Sequence, residues 1–252
     1  MKNEVIQRYI QGDTLIIVSS VRDICEEIAE KQNLTLNGDY ISLGYAAAFT
    51  AALSAEQKEA ETYITACFKW VKTKKMMAVT AFGDGRVCAY SDTFEPPSGV
   101  EGVILEVTRH SDVGGDYHSV VLGRNIQGAV NAYITESMQR NAKWKVIRDG
   151  RMSVGVFAEE LPGSNDLRKV WDSVKPFCRA LDEEELIKGG CEKLGESELT
   201  FGCHCSKRSA QRILETLPKE ATKEMITGGF DLSLYTCTIG GASRVTVRCN
   251  CI

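Results

Sequence analysis

The crowding of cysteines near the C-terminal end is the feature that most limits how this chain can fold. Of its ten cysteines, five occur from residue 203 onwards: Cys203, Cys205, Cys237, Cys249 and Cys251. A unit of about fifty residues is too small to build a sufficient apolar core, so such units usually contain disulfides or a metal ion. The crowding therefore predicts a small cross-linked domain at this end of the chain.

The sequence favours a metal ion over disulfides. Residues 1–6 lack the apolar stretch of a secretory signal, which predicts a cytoplasmic chain in a reducing compartment, where disulfides are rare. Thiolates suit Zn²⁺, which binds four ligands tetrahedrally. Cys203 and Cys205 flank one residue at the start of a predicted helix, so their sulfurs can converge and the helix N-terminus favours thiolates. Cys237 is on a predicted strand that can return to the same site, so we predict Zn²⁺ as the cofactor.

The other five cysteines are scattered singly along the chain: Cys25, Cys67, Cys88, Cys178 and Cys191. Cysteine outside disulfides is among the most buried residue types and packs as a small hydrophobe. We therefore predict that these five side chains are buried.

Apolar patterning upstream predicts an α+β domain over residues 1–163. Its strands are expected to form a mostly antiparallel sheet, because glycine-containing turns join several of them as hairpins. One helix, over 40–55, is rich in alanine, which predicts close packing against a neighbour in the core. The predicted strands cover 2–10, 14–21, 61–70, 74–82, 86–91, 101–109, 117–122, 143–149 and 151–158, and the predicted helices cover 21–32, 40–55 and 126–140.

Residues 164–198 differ in character and are predicted to form a helical connector. Eleven acidic and six basic residues occupy 159–198, so the segment is net negative. Helices fit the pattern at 164–177 and at 181–189, where a pair of glycines ends the second one. Their modest apolar content predicts a connector of marginal stability, although an ordinary packed helical hairpin fits the composition equally well. The remaining residues, 199–252, form the predicted zinc-binding domain.

Composition argues against several classes of function. The formal net charge of -4 argues against a dedicated nucleic-acid binder, because phosphate contacts need a surplus of lysine and arginine. No apolar run approaches the roughly 20 residues that span a bilayer, so no membrane partner is predicted. With three histidines and no G-x-S-x-G or Rossmann motif, the sequence predicts a protein that is not an enzyme.

The segment around the first cysteine pair resembles a known family. Residues 199–208 (LTFGCHCSKR) and 213–218 (ILETLP) resemble the heat shock protein 33 family of redox-regulated chaperones, whose C-terminal motif is C-x-C followed by C-x-x-C. The alanine-rich residues 43–49 and the strand at 85–90 agree with the N-terminal layout of that family. The resemblance extends over nearly the whole chain and is most specific at the C-x-C stretch.

The resemblance implies a mechanism. Reduced members of the family hold Zn²⁺ through four thiolates and are inactive. Oxidants convert the thiolates to disulfides and release the metal, and the small domain and connector then lose structure and expose a surface that holds unfolding client proteins without ATP. The active form is implied to be a homodimer. The cysteines that the resemblance implies for redox disulfides are Cys203, Cys205, Cys237, Cys249 and Cys251.

The fourth zinc ligand is where this sequence departs from the family. Residues 237–240 (CTIG) stand where C-x-x-C is expected, and Gly240 cannot bind a metal. The resemblance therefore implies three zinc ligands, Cys203, Cys205 and Cys237, and does not identify the fourth. Candidates are Cys249 or Cys251, which follow a predicted hairpin strand, and His204; an incomplete or absent zinc site remains a further alternative.

Two other functions fit parts of the pattern. A zinc-ribbon-like module for nucleic acid or a protein partner is one, since residues 199–252 contain seven basic and four acidic residues. A thiol oxidoreductase using Cys249 and Cys251 is the other, because such pairs can form strained, reactive disulfides. The short tail around those two cysteines lacks the enclosing site that oxidoreductases use.

Overall fold

The structure is a computed structural model that describes residues 4–31, 40–56, 62–73, 75–91, 101–110, 115–149, 152–163, 167–174 and 183–202. The predictions for residues 203–252, which include every predicted zinc ligand, and the prediction for Cys178 lie outside this part of the chain. Among the residues described, no helix is long and apolar enough to cross a membrane.

The described chain consists of runs of mostly antiparallel strands separated by helices. This is an α+β fold, which confirms the predicted class. Every strand and helix predicted within residues 1–163 is present, with its ends shifted by a few residues. In chain order the elements are β1 (Val5–Gln11), β2 (Thr14–Ser20), α1 (Arg22–Lys31), α2 (Tyr40–Ser54), β3 (Tyr63–Trp70), β4 (Met76–Phe82), β5 (Arg86–Ser91), β6 (Val103–His110), β7 (Tyr117–Gly123), α3 (Ile126–Ala132), a π-helix (Tyr133–Ser137), β8 (Ala142–Asp149), β9 (Met152–Glu160), α4 (Leu167–Val174), α5 (Glu183–Lys188), β10 (Glu192–Glu198) and β11 (Thr200–Phe201).

The strands form two sheets. The first has the order β10-β1-β2-β9-β8 and is antiparallel throughout. The second has the order β11-β5-β4-β3-β6-β7 and is antiparallel except for β11, which pairs in parallel with β5. Two sheets rather than one are present because β1, β2, β8 and β9 pair only with one another and with β10.

Helix α2 packs against both sheets, as its small side chains predict. It contacts β2 and β9 of the first sheet and β3 and β4 of the second. A Cβ atom placed at Gly155 of β9 would lie 2.9 Å from Cβ of Ala48 and 2.3 Å from the ring of Trp144. The hydroxyl of Ser19 donates to the carbonyl of Ala48 at 3.0 Å. Only glycine fits at position 155, so α2 and the first sheet approach closely.

The helix predicted over 126–140 has two parts. Asn125 caps α3 by accepting a hydrogen bond from Gly128 N–H at 2.8 Å. The helix then widens into the π-helix, where Met138 N–H donates to the carbonyl of Tyr133. The π-helix ends at Ser137, three residues before the predicted end, and the positive φ of 53 at Gln139 keeps the chain from continuing as a helix.

The connector is helical only in part, which corrects the prediction for residues 164–198. Helices α4 and α5 are both present within the predicted ranges, but residues 192–198 form the strand β10 on the edge of the first sheet. These residues are polar apart from one leucine and contain a glycine, so their sequence has no strand pattern. They are extended because the edge of β1 supplies a pairing partner.

The predicted boundary at residue 199 falls where the chain passes from one sheet to the other. Leu199 is buried in the main core, and its N–H donates to the carbonyl of Glu4 at 2.8 Å. Thr200 N–H and Gly202 N–H donate to the carbonyls of Gly85 and Val87 at 3.1 and 3.0 Å. Residues 199–202 are therefore attached to the α+β domain, and the division of the chain at this point stays a prediction.

Candidate functional site

Helix α4 is amphipathic, and its apolar side faces the first sheet. Leu167, Val170, Trp171 and Val174 recur at helical spacing and are all buried. The side chains between them, which include Arg168, are exposed. An ordinary packed helical segment, one of the two alternatives for the connector, therefore describes α4 in this structure.

The connector covers the face of the first sheet that points away from the main core. Along β2, Ile17 belongs to the main core, whereas Ile16 and Val18 belong to a second apolar cluster. The sheet contributes Tyr9, Ile16, Val18, Ile147, Val154, Val156 and Ala158 to this cluster, and the connector contributes Leu167, Val170, Trp171, Val174, Leu186 and Cys191. We call this set the connector cluster. A large apolar side chain contributes about 1.5–3 kcal/mol when fully buried, so the connector cluster holds the connector in place.

Gln11, at the end of β1, joins three parts of the connector. Its Nε2 donates to the carbonyl of Gly189 at 2.8 Å. Its Oε1 accepts from the hydroxyl of Ser173 at 3.3 Å and lies 3.7 Å from the sulfur of Cys191. One side chain of the sheet therefore contacts α4, the end of α5 and the start of β10. Because these partners lie far apart in sequence, no local pattern predicts this role.

Ion pairs connect β10 with α5. Lys193 Nζ donates to both carboxylate oxygens of Glu183 at 2.8 and 3.0 Å and to Glu196 at 2.8 Å. These hydrogen bonds raise the pKa of Lys193, and the one from Lys193 lowers the pKa of Glu196. Gln7 of β1 also donates to Glu183 at 3.3 Å. Ion pairs this close to solvent contribute little to stability, so they orient β10 more than they hold it.

Helix α5 ends where its glycines predict. Gly190 has φ 90 and its N–H donates to the carbonyl of Ile187, while Cys191 N–H donates to the carbonyl of Leu186. This pair of hydrogen bonds is a Schellman motif, in which the residue with positive φ is usually glycine. The motif reverses the chain and directs Cys191 into the connector cluster.

The burial predicted for all five scattered cysteines is confirmed for the four that the structure describes. Cys25, Cys67, Cys88 and Cys191 are all less than 9% exposed. Burial raises the pKa of the Cys25 thiol and of the Cys191 thiol, so both are uncharged at neutral pH. A neutral buried thiol is a poor nucleophile and a poor metal ligand.

The described chain stops one residue before the first predicted zinc ligand. Cys203, Cys205, His204, Cys237, Cys249 and Cys251 all lie beyond Gly202. Within residues 4–202, where they are described, no three His, Cys, Asp or Glu side chains are placed to hold a metal ion. The structure does show how the chain reaches Cys203, which is through α5, β10 and β11.

A cavity of about 820 Å³, whose lining includes Glu56, Arg109, Arg140 and Glu159, is a second candidate site, and no sequence pattern indicates it. Arg140 Nη1 donates to Glu56 at 3.1 and 3.2 Å and to Glu159 at 2.9 Å. Arg109 lies 3.7 Å from Glu56 and donates to the hydroxyl of Tyr133 at 3.3 Å. These side chains come from separate elements, which only the fold brings together.

The pKa of Glu56 is raised in the folded chain. Burial is the main cause and neighbouring Glu159 adds to it, while Arg140 and Arg109 act in the opposite direction. The folded chain therefore retains a proton on Glu56 at pH values at which the unfolded chain has lost it. By linkage, the contribution of this group to stability falls as pH rises above the ordinary glutamate value of 4.5.

Replacement of Glu56 by glutamine should remove this pH dependence. The difference in unfolding free energy, variant minus parent, is expected to increase from pH 4.5 upward and to level off above the folded pKa, because only the parent titrates at this position. Urea denaturation of both proteins under reducing conditions, at a series of pH values up to neutral, measures the difference. A difference that stays constant or decreases over this range would contradict the assignment.

The comparisons with known proteins agree with this architecture. The family model described as HSP33, Hsp33 protein, matches residues 7–241. The crystal structure of the 33 kDa chaperonin, a heat shock protein 33 homologue from Thermotoga maritima, is similar in fold, with a TM-score of 0.69 and 17% sequence identity over 90% of this chain and 89% of that chain. No curated protein matches the chain significantly.

The family match spans most of the chain and includes the connector that covers the first sheet. Together with the similar fold of the solved homologue, this match defines the class of the protein as a chaperone. The chain belongs to the Hsp33 family. Binding of client proteins follows from that membership. The match includes Cys203, Cys205 and Cys237 and ends at residue 241, so Cys249 and Cys251 lie outside it.

Proposed function

We propose that this chain is a redox-regulated, ATP-independent holdase, in which oxidation of the C-terminal thiolates releases the connector from the first sheet. The observation that carries the proposal is the connector cluster. An apolar face of the sheet is covered by a segment whose chain leads directly into Cys203. In the reduced state this face is buried, and in the oxidised state it is exposed to unfolding proteins.

The proposed zinc site is supported by the chemistry of its donors. Cys203, Cys205 and Cys237 supply three thiolates, and Cys249 or Cys251 supplies the fourth, a set that suits tetrahedral Zn²⁺. Bound Zn²⁺ supplies folding free energy to a domain too small to fold on its apolar core alone. A reducing cytoplasm keeps the thiolates available and is part of the proposal.

Oxidation removes the ligands in a balanced reaction. Two thiolates give up two electrons and form one disulfide, and hydrogen peroxide takes up those electrons with two protons and becomes two molecules of water. A disulfide sulfur is a far weaker zinc ligand than a thiolate. The zinc-binding free energy is then lost from the C-terminal domain.

The strand segment from β10 to β11 connects this event to the connector. Gly202 is the last described residue before Cys203, and its N–H donates to the carbonyl of Val87 at 3.0 Å. Loss of structure beyond Cys203 frees one end of this segment. The other end continues into α5 through Cys191.

The connector helices depend on the sheet for their stability. The described part of α4 has 8 residues and that of α5 has 6. Isolated helices shorter than about 12–15 residues are marginal in water, so neither helix is expected to persist away from the connector cluster. Release therefore melts the connector and leaves apolar side chains on both surfaces for client binding. The active form is proposed to be a homodimer, which rests on the family resemblance.

The proposal predicts opposite behaviour of the two redox states. Reduced chain should contain about one Zn²⁺ and should fail to prevent aggregation of a thermally unfolding client. Treatment with peroxide should release the metal to a chromogenic chelator, and the same sample should then suppress aggregation measured by light scattering. Equal suppression in both states would remove the redox switch, and no suppression in either would reject the holdase.

A further inference from the structure

Strand β10 is held on the first sheet with little apolar contact. Its seven residues alternate between exposed and half-buried, and none of them is buried. Its only large apolar side chain, Leu194, is 53% exposed. Backbone pairing with β1 holds this strand and the ion pairs of Lys193 add little, whereas α4 is held by its buried apolar side.

The pairing between β10 and β1 is irregular. Arg8 pairs with Gly195 and Tyr9 with Lys193, so Leu194 is an extra residue at a bulge. Gly195, in the middle of the strand, adds no side chain and has low strand propensity. The strand therefore has several features of a poor partner for β1.

Strand β1 becomes the edge of the sheet if β10 leaves. The order β10-β1-β2 places β1 between these two strands, and β2 continues to pair with it. An edge strand with free backbone N–H and carbonyl groups is a template for another extended chain. The edge lies next to the surface that the connector uncovers, because Tyr9 of β1 belongs to the connector cluster.

We propose that the edge of β1 vacated by β10 binds an extended segment of an unfolded client, which adds to the sheet as a new strand. This inference rests on the proposed function, because it requires release of the connector. Main-chain hydrogen bonds provide affinity without demanding a sequence, which suits a protein that holds many clients. Side chains on one face of the added strand would lie beside Tyr9 and the uncovered apolar surface.

In this proposal, β10 competes with the client segment for the edge of β1. It is part of the same chain, so its effective concentration at the β1 edge is high. A client segment rich in β-branched and aromatic residues offers better strand propensity and apolar contact than the sequence Glu-Lys-Leu-Gly-Glu-Ser-Glu of β10. Such a segment can displace β10 once oxidation has freed the flanking connector.

A matched pair of peptides tests the edge directly on the full-length chain. Both have the same alternating valine and threonine sequence with terminal lysines, and one is N-methylated at alternate backbone nitrogens. Methylation removes the hydrogen-bond donors of one strand edge and keeps the side chains. Fluorescence anisotropy should show that oxidised chain binds the unmethylated peptide at least about tenfold more tightly than the methylated one, because several hydrogen bonds are lost together. Reduced chain should bind neither.

Variants of β10 locate the binding edge. Gly195→Val raises strand propensity at a paired position, where a new Cβ would contact only the end of the Arg8 side chain at 3.4 Å. It should stabilise β10 on β1 and weaken peptide binding to oxidised chain by up to about fivefold. Leu194→Val, at the unpaired bulge, is the matched control and should leave peptide binding unchanged.

The failure of this inference can be separated from the failure of the proposed function. Client aggregation is measured on the same oxidised samples. If oxidised chain suppresses aggregation but binds the two peptides equally, the β1 edge is not the client site and the holdase proposal stands. If oxidised chain does not suppress aggregation, both are rejected.

Discussion

Replacing Trp171 with alanine is expected to make the fully reduced chain hold unfolding clients, which the parent should do only after oxidation. Trp171 is the largest side chain that the connector contributes to its cluster and is 9% exposed. Lys143 lies over its ring, with Nζ 6.0 Å from the centroid. Truncation of a buried tryptophan to alanine costs about 3–5 kcal/mol. A loss of this size falls on an eight-residue helix that is not stable by itself.

The measurement separates connector release from loss of the metal. Under reducing conditions the Trp171→Ala chain should suppress client aggregation, and limited proteolysis should cut it within residues 164–191 faster than the parent. Its zinc content should stay at the parent level, because the predicted ligands lie in another domain.

The exposed side chain of Arg168 on the same helix provides the control. Arg168→Ala should behave as the parent, since surface changes usually alter stability by less than about 0.5 kcal/mol. If Trp171→Ala is cut quickly in the connector yet does not hold clients when reduced, the covered face is not the client surface.

Replacing Cys203 with serine is expected to abolish zinc binding and to leave the C-terminal domain unfolded in the reduced chain. Structural zinc contributes about 10–16 kcal/mol of apparent binding free energy, far more than any single packing contact. Loss of one thiolate from a four-ligand site removes most of that contribution. Zinc content of purified reduced protein, measured by atomic emission, should fall from about one per chain to a small fraction.

Matched cysteine variants identify the fourth ligand. Of Cys249→Ser and Cys251→Ser, one should lower the zinc content as strongly as Cys203→Ser does, and the other should not. If both retain zinc, His204→Ala becomes the decisive variant. Cys25→Ala is the control, because Cys25 is buried in the α+β core and should leave the zinc content unchanged. Full zinc content in Cys203→Ser would reject the proposed site.

Short-range patterns in the sequence determine most of the described elements. The alternation around Gly12 and Asp13 yields the β1–β2 hairpin, the apolar spacing from residue 22 yields α1, and the glycine pair at 189–190 ends α5. These features depend on residues within one or two turns of each other. The five C-terminal cysteines likewise indicate a metal-binding domain through composition alone, and its geometry lies outside the described residues.

Contacts between segments that are distant in sequence appear only in the tertiary structure, and these contacts form both candidate sites. Nothing in the polar sequence of β10 predicts a strand; the free edge of β1, more than 180 residues earlier in the chain, makes it one. The same holds for Gln11 with Cys191 and for Arg140 with Glu56 and Glu159. The family resemblance implies a redox switch at the crowded cysteines, and the packing of α4, α5 and β10 on the first sheet is what we propose that this switch releases. Such contacts depend on pairing and burial between distant segments, which no local periodicity encodes.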